Sequence, residues 1–132
     1  MTPLILLDTS VWIEVFRRRN PLQLEEVVEF DQIVTCLPVI QEVLQGFRDE
    51  QAYRIARDAM LALPIIEASL GISLIEEAVR LYRMARKQGL TVRSSVDCLI
   101  AACALRHGLT VLHRDRDYPQ LAKVSALQQR RV

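Results

Sequence analysis

Leu4-Ile5-Leu6-Leu7-Asp8-Thr9-Ser10-Val11-Trp12-Ile13 decides how this chain folds. Four consecutive apolar residues predict a short strand covered on both faces, as strands of a parallel sheet are. Asp8, Thr9 and Ser10 then offer capping side chains, and residues 11–18 carry apolar positions at 12, 13 and 16, a helical spacing. A strand that passes through a carboxylate into a helix opens a βα unit. In open sheets of that kind, ligands gather in the crevice beyond the carboxyl ends of the strands.

The pattern continues along the chain. Residues 21–28 predict a second helix, opened by Pro21, with Leu24, Val27 and Val28 on one face. Residues 33–36 read as a strand, and Pro38 opens a helix over 38–47 that buries Ile40, Leu44 and Phe47. A helix over 49–63 leads to a third strand at 64–66. The clearest amphipathic helix covers 73–88; Ile75, Ala78, Val79, Tyr82 and Ala85 form its apolar stripe and Gly89 ends it. Residues 95–107 predict another, with Val96, Leu99, Ile100 and Cys103 inward and Gly108 as terminator. A strand at 110–112, a helical turn at 118–122, an edge strand at 124–127 and a flexible tail at 128–132 complete the chain. Strands alternating with helices, without repeats or linkers, predict one α/β domain over 1–132. Its centre is a mainly parallel sheet of four to five strands, flanked by helices on both faces.

Composition narrows the field. At 132 residues and 51% apolar content, the chain is long enough for one core and too apolar for disorder. A net charge of +1 removes the simplest argument for a nucleic-acid binder. Among 17 basic residues only Lys87 and Lys123 are lysine, a bias that suits phosphate recognition but that base composition of the gene produces equally well. Cys36, Cys98 and Cys103 lie in apolar stretches without a C-x-x-C pair, so they read as reduced core residues. No secretory signal is recognisable, and the longest apolar run, residues 98–105, is far short of a membrane span. These features predict a cytoplasmic protein with no membrane partner.

Four acids draw attention: Asp8 and Asp115 after strands, Asp97 at the opening of a helix, and Glu42 inside a helical pattern. Carboxylates gathered at the carboxyl ends of parallel strands make a site for a hard divalent cation. Each has a plainer explanation. Asp8 and Ser10 suit a helix cap, Glu42 a solvated helix face, Asp97 the positive end of a helix dipole, and Asp115 with Asp117 a polar turn. Ser10 is also placed to hydrogen-bond a neighbouring carboxylate, and Ala101 and Ala104 beneath Asp97 permit close packing on the sheet. All four acids at such positions together favour the site. Arg93, just before the Asp97 segment, is the best candidate for a phosphate contact. Arg80, Arg83 and Lys87 share a helix face, where an ion pair from Glu76 to Arg80 accounts for them without RNA. His107 and His113 lack ligand spacing, and Trp12 reads as core.

Residues 4–13, Glu42-Val43-Leu44-Gln45-Gly46, residues 96–102 and His113-Arg114-Asp115-Arg116-Asp117-Tyr118 resemble, in order and spacing, the four acidic motifs of PIN-domain proteins. The likeness is to the VapC toxins of bacterial toxin–antitoxin pairs, and it spans nearly the whole chain. It implies a Mg²⁺- or Mn²⁺-dependent endoribonuclease that leaves 5′-phosphate ends, a cognate antitoxin partner and a homodimer. By the same resemblance Asp8 and Asp97 are the principal metal ligands, Asp115 a further one, Glu42 the group that orients the attacking water, and Ser10 and Asp117 support them. Two positions depart from the family pattern. Arg114 replaces a small hydroxyl or amide residue and brings a cation toward the site, in reach of a phosphate. Tyr118 replaces a commoner Phe, an exchange expected to be neutral.

Two other classes compete. A phospho-acceptor receiver domain fits the length, but it needs an acidic pair after the first strand and a lysine near the last; here the early acid is single and Lys123 falls outside any site-like context. A catalytically silent PIN-like module for RNA or protein binding usually goes with lost acids; none is lost here.

Overall fold

The computed structural model describes residues 3–132, so the first two residues of the expected 1–132 domain lie outside the described residues. Five parallel strands form the central sheet: β1 (Ile5–Leu7), β2 (Ile33–Cys36), β3 (Ile65–Ile66), β4 (Thr110–His113) and β5 (Gln128–Arg131). Their spatial order is β3-β2-β1-β4-β5. The flanking helices are α1 (Thr9–Val15), α2 (Leu37–Gln45), α3 (Glu50–Leu61), α4 (Ile72–Lys87), α5 (Ser95–His107) and α6 (Asp117–Ala122). The chain winds outward from β1 to β3, then crosses back to β4 on the other side of β1. That reversal leaves a crevice between the carboxyl ends of β1 and β4, whose register pairs Leu7 with Leu112.

The core explains why these residues form these elements. Ile5, Leu6 and Leu7 are all buried, as a central strand covered on both faces requires. Trp12 stacks on Phe16 at 5.9 Å, and Phe16 meets Phe47 edge-on at 5.6 Å, which pins α1 against the segment after α2. Cys36, Cys98 and Cys103 are buried free thiols, as expected. No helix among the described residues is long and apolar enough to cross a membrane.

Four expectations need correction. Residues 21–28 form no α-helix; only a 3-10 turn, Leu24–Glu26, appears, because Leu22 N–H is held by Glu14 C=O and the β-branched pair Val27–Val28 resists a short helix. On α4 the buried stripe is Leu74, Ala78, Leu81 and Ala85, while Ile75, Val79 and Tyr82 are 43%, 51% and 37% exposed. Residues 124–127 are not a strand, and residues 128–132 are not a loose tail. The edge strand is β5 itself, aligned from Thr110 beside Gln128 to His113 beside Arg131. A parallel ladder is made by backbone groups, so the polar run Gln128-Gln129-Arg130-Arg131 joins it despite lacking strand-like side chains. Basic residues on an exposed edge also discourage pairing with another chain.

Candidate metal centre

Each acid arrives at the crevice for a local reason. Asp8 is the N-cap of α1: its Oδ2 accepts the Ser10 backbone N–H at 3.0 Å and the Ser10 hydroxyl at 2.5 Å. Capping therefore engages Oδ2 alone, and Oδ1 is turned toward the interior of the crevice, where it meets the Tyr118 hydroxyl. Ser10 Oγ also accepts the Arg114 N–H at 2.9 Å, tying the exit of β1 to the exit of β4. Asp97 lies in the first turn of α5, yet its hydrogen bond runs away from that helix, to the Tyr118 hydroxyl at 3.3 Å. Its other oxygen, Oδ2, is buried without a hydrogen-bond partner. Asp115 follows β4, where its N–H donates to His113 Nδ1 at 3.1 Å and its Oδ1 accepts the Asp117 N–H at 2.9 Å.

Asp8, Asp97 and Asp115 each present one oxygen, and these oxygens lie within 4.8 Å of one another. Asp8 is 2% and Asp97 4% exposed. Like charges this close and this dry repel strongly. Burial, then the neighbouring Asp117 carboxyl and the charges of Asp8 and Asp115, push the Asp97 carboxyl up to about 9. An orphaned buried oxygen amid two further carboxylates, all hard ligands, fits a hard divalent cation.

The remaining expected residues stand around this cluster. Glu42 is half-buried and is not one of the three converging carboxylates; its Oε1 accepts the Thr9 hydroxyl at 2.7 Å. Asp117 is buried, and its two oxygens accept the Arg93 and Ser94 N–H groups, each at 2.9 Å. It thereby clamps the loop that delivers Asp97. The Arg93 side chain is exposed. The Arg114 guanidinium donates to the Val132 C=O at 3.1 Å and lies 3.4 Å from Glu14 Oε2. His113 is buried; with Nδ1 accepting from Asp115, Nε2 is left to donate to Gln129 Oε1 at 2.6 Å. This structural role for His113 matches its reading from sequence.

Two residues were missed. Thr9 gave no signal beyond its place in the D-T-S triplet. Tyr118, expected to be a neutral exchange, is fully buried and donates its hydroxyl proton to Asp8 Oδ1 at 2.5 Å.

The PIN domain family model matches residues 5–124. A VapC ribonuclease of Mycobacterium bovis and ribonuclease VapC11 of Mycobacterium tuberculosis are each 38% identical over 130 residues, covering 95% of this chain and 96% of theirs. The chain belongs to the PIN-domain family, among the VapC proteins. Solved structures agree on the fold. VapBC-5 from Mycobacterium tuberculosis superposes with TM-score 0.72 at 22% identity, covering 98% of this chain and 100% of that one. DNA-bound VapBC from Salmonella typhimurium gives 0.75 at 14% identity, covering 98% of each. The expected family and the α/β fold are thus borne out; Asp8 and Asp115 follow β1 and β4, Asp97 lies in the first turn of α5, and Glu42 lies within α2.

Proposed function

We propose that this protein is a metal-dependent endoribonuclease, the toxin of a toxin–antitoxin pair, which hydrolyses RNA phosphodiester bonds to leave 5′-phosphate ends. The observation that carries this reading is the convergence of Asp8, Asp97 and Asp115 beyond the β1–β4 pair. Identity of 38% over nearly the full length to proteins named ribonucleases supports the reaction class. Asp8 and Asp97 would be the principal ligands of Mg²⁺ or Mn²⁺, with Asp115 completing the set. When bound, such an ion supplies a Lewis acid that neutralises phosphate charge and acidifies water.

The chain does the rest. Glu42, fixed by Thr9, orients water and takes its proton as the oxygen bonds to phosphorus. The bond from phosphorus to the ribose 3′ oxygen breaks, and that oxygen acquires a proton from solvent. Asp117 holds the backbone of the Arg93 loop, and the exposed Arg93 would be the residue that meets a phosphate. Arg114 is the lesser contact, since Glu14 and Val132 already share its guanidinium.

Two protein partners go with this function. Ile13, Phe16, Val43 and Phe47 line an apolar hollow beside Glu42, suited to an antitoxin helix that also sets a basic side chain over the acids. Ile75, Val79 and Tyr82 of α4 with Val96 and Leu99 of α5 line an almost wholly apolar groove, which a second copy would cover in a homodimer. The test of function is cleavage of structured RNA by purified protein in Mg²⁺ or Mn²⁺, with sequencing of the new ends. Cleavage should stop with chelator, in Asp8→Asn and in Asp97→Asn, and the ends should carry 5′ phosphate. Undiminished cleavage in both variants overturns the proposal.

A further inference from the structure

A buried tyrosine hydroxyl needs a hydrogen-bond partner, most often a backbone carbonyl. Tyr118 instead reaches the two carboxylates with the strongest claim to a metal ion. Its hydroxyl lies 2.5 Å from Asp8 Oδ1 and 3.3 Å from Asp97 Oδ1. A phenol carries one proton, so the shorter contact, to Asp8, holds it. Asp8 is consequently gripped from both sides: Ser10 of α1 donates twice to Oδ2, and Tyr118 of α6 donates to Oδ1. A carboxylate so held cannot pivot. The ring is held in turn, 5.0 Å from the His113 ring, which Asp115 and Gln129 fix through its two nitrogens.

Building on the metal-site reading above, we infer that the Tyr118 hydroxyl is a positioning group for divalent-cation binding: it fixes Asp8 so that its remaining lone pairs point with those of Asp97 and Asp115. Groups that orient metal ligands from outside typically carry ten- to a hundredfold in affinity. The phenol dipole also lies between two oxygens that would otherwise face each other unscreened. Tyr118→Phe isolates this role, since the ring and its packing on His113 persist.

The test is Mn²⁺ titration by calorimetry on the purified chain without RNA. Tyr118→Phe should weaken Mn²⁺ affinity roughly tenfold while circular dichroism stays native. Leu121→Ala, which loosens the same helix from its buried side without touching the hydroxyl, should lower the melting temperature and leave the affinity unchanged. Unchanged or tighter binding by Tyr118→Phe, or equal weakening in Leu121→Ala, overturns the Tyr118 role while the metal site stands. Failure of the natural chain to bind Mn²⁺ at all sinks both.

Discussion

Two charged clusters in this molecule differ in a way that separates structure from function. At the far end of α5, Arg106 joins Glu77 at 2.8 Å, Ser73 at 2.8 Å and Glu67 at 3.5 Å, and His107 meets Glu67 at 2.8 Å. Every acid there has a cation, and the group lies at the surface. At the near end of the same helix, buried Asp97 and Asp8 meet half-buried Asp115, and none of the three forms an ion pair with a basic side chain among the described residues. The first arrangement balances itself. The second is unstable as it stands and gains from a ligand of opposite charge, which is the mark of a site.

The largest effect expected from breaking this contrast is at Asp97. Asp97→Asn removes an ionisable group from the unbalanced cluster, so it should abolish RNA cleavage and yet stabilise the metal-free protein. The gain is at most about 4 kcal/mol at neutral pH, since about three units separate neutrality from the ordinary value of 3.8 and each is worth about 1.4 kcal/mol. Thermal melts in chelator measure it. A destabilised Asp97→Asn protein would show that the cluster is not under electrostatic strain.

The pH dependence sharpens the same point. Folding raises Asp97 from an ordinary 3.8 to about 9, so across that interval the folded chain keeps a proton that the unfolded chain has lost. Stability therefore falls as pH rises through this window, by at most about 1.4 kcal/mol per unit. Melting temperatures in chelator should drop from about pH 5.5 to about pH 8.5. Saturating Mn²⁺ should flatten the slope, because the ion holds the ionised carboxylate. The component that vanishes in Asp97→Asn belongs to this group rather than to the histidines.

How much of this was legible in the sequence depends on what each feature rests upon. Asp8, Asp97 and Asp115 were readable because strand ends and helix starts have local signatures, and the topology of a parallel sheet brings those ends together. The Tyr118 hydroxyl was not: its partner lies 110 residues away, and nothing local distinguishes a ring that merely packs from one that reaches a carboxylate. The α4 stripe was misassigned for a different reason. Two apolar rows run side by side, and periodicity does not say which meets the core. The row with Ala78 and Ala85 turned inward because α4 packs closely on α5, leaving the bulkier Ile75, Val79 and Tyr82 outside. Likewise β5 was hidden because its pairing depends on backbone groups that every residue carries. The expected Glu76–Arg80 ion pair is absent from the ion pairs among the described residues, so that helix face is less neutralised than its spacing suggested.

The smallest effect belongs to the balanced cluster. Arg106→Ala leaves Glu67 and Glu77 near one another without their shared guanidinium, which itself is 29% exposed. Water reaches all three groups, so the loss should be only about 1 kcal/mol, and it should shrink further as salt is raised. RNA cleavage and Mn²⁺ affinity should stay at their natural values, because this cluster and the crevice occupy opposite ends of α5. A melt series in low and high salt, beside a cleavage assay, reads both halves of the comparison in one variant. Lost cleavage in Arg106→Ala would mean that the two ends of the helix are coupled and that charge balance does not separate scaffold from site.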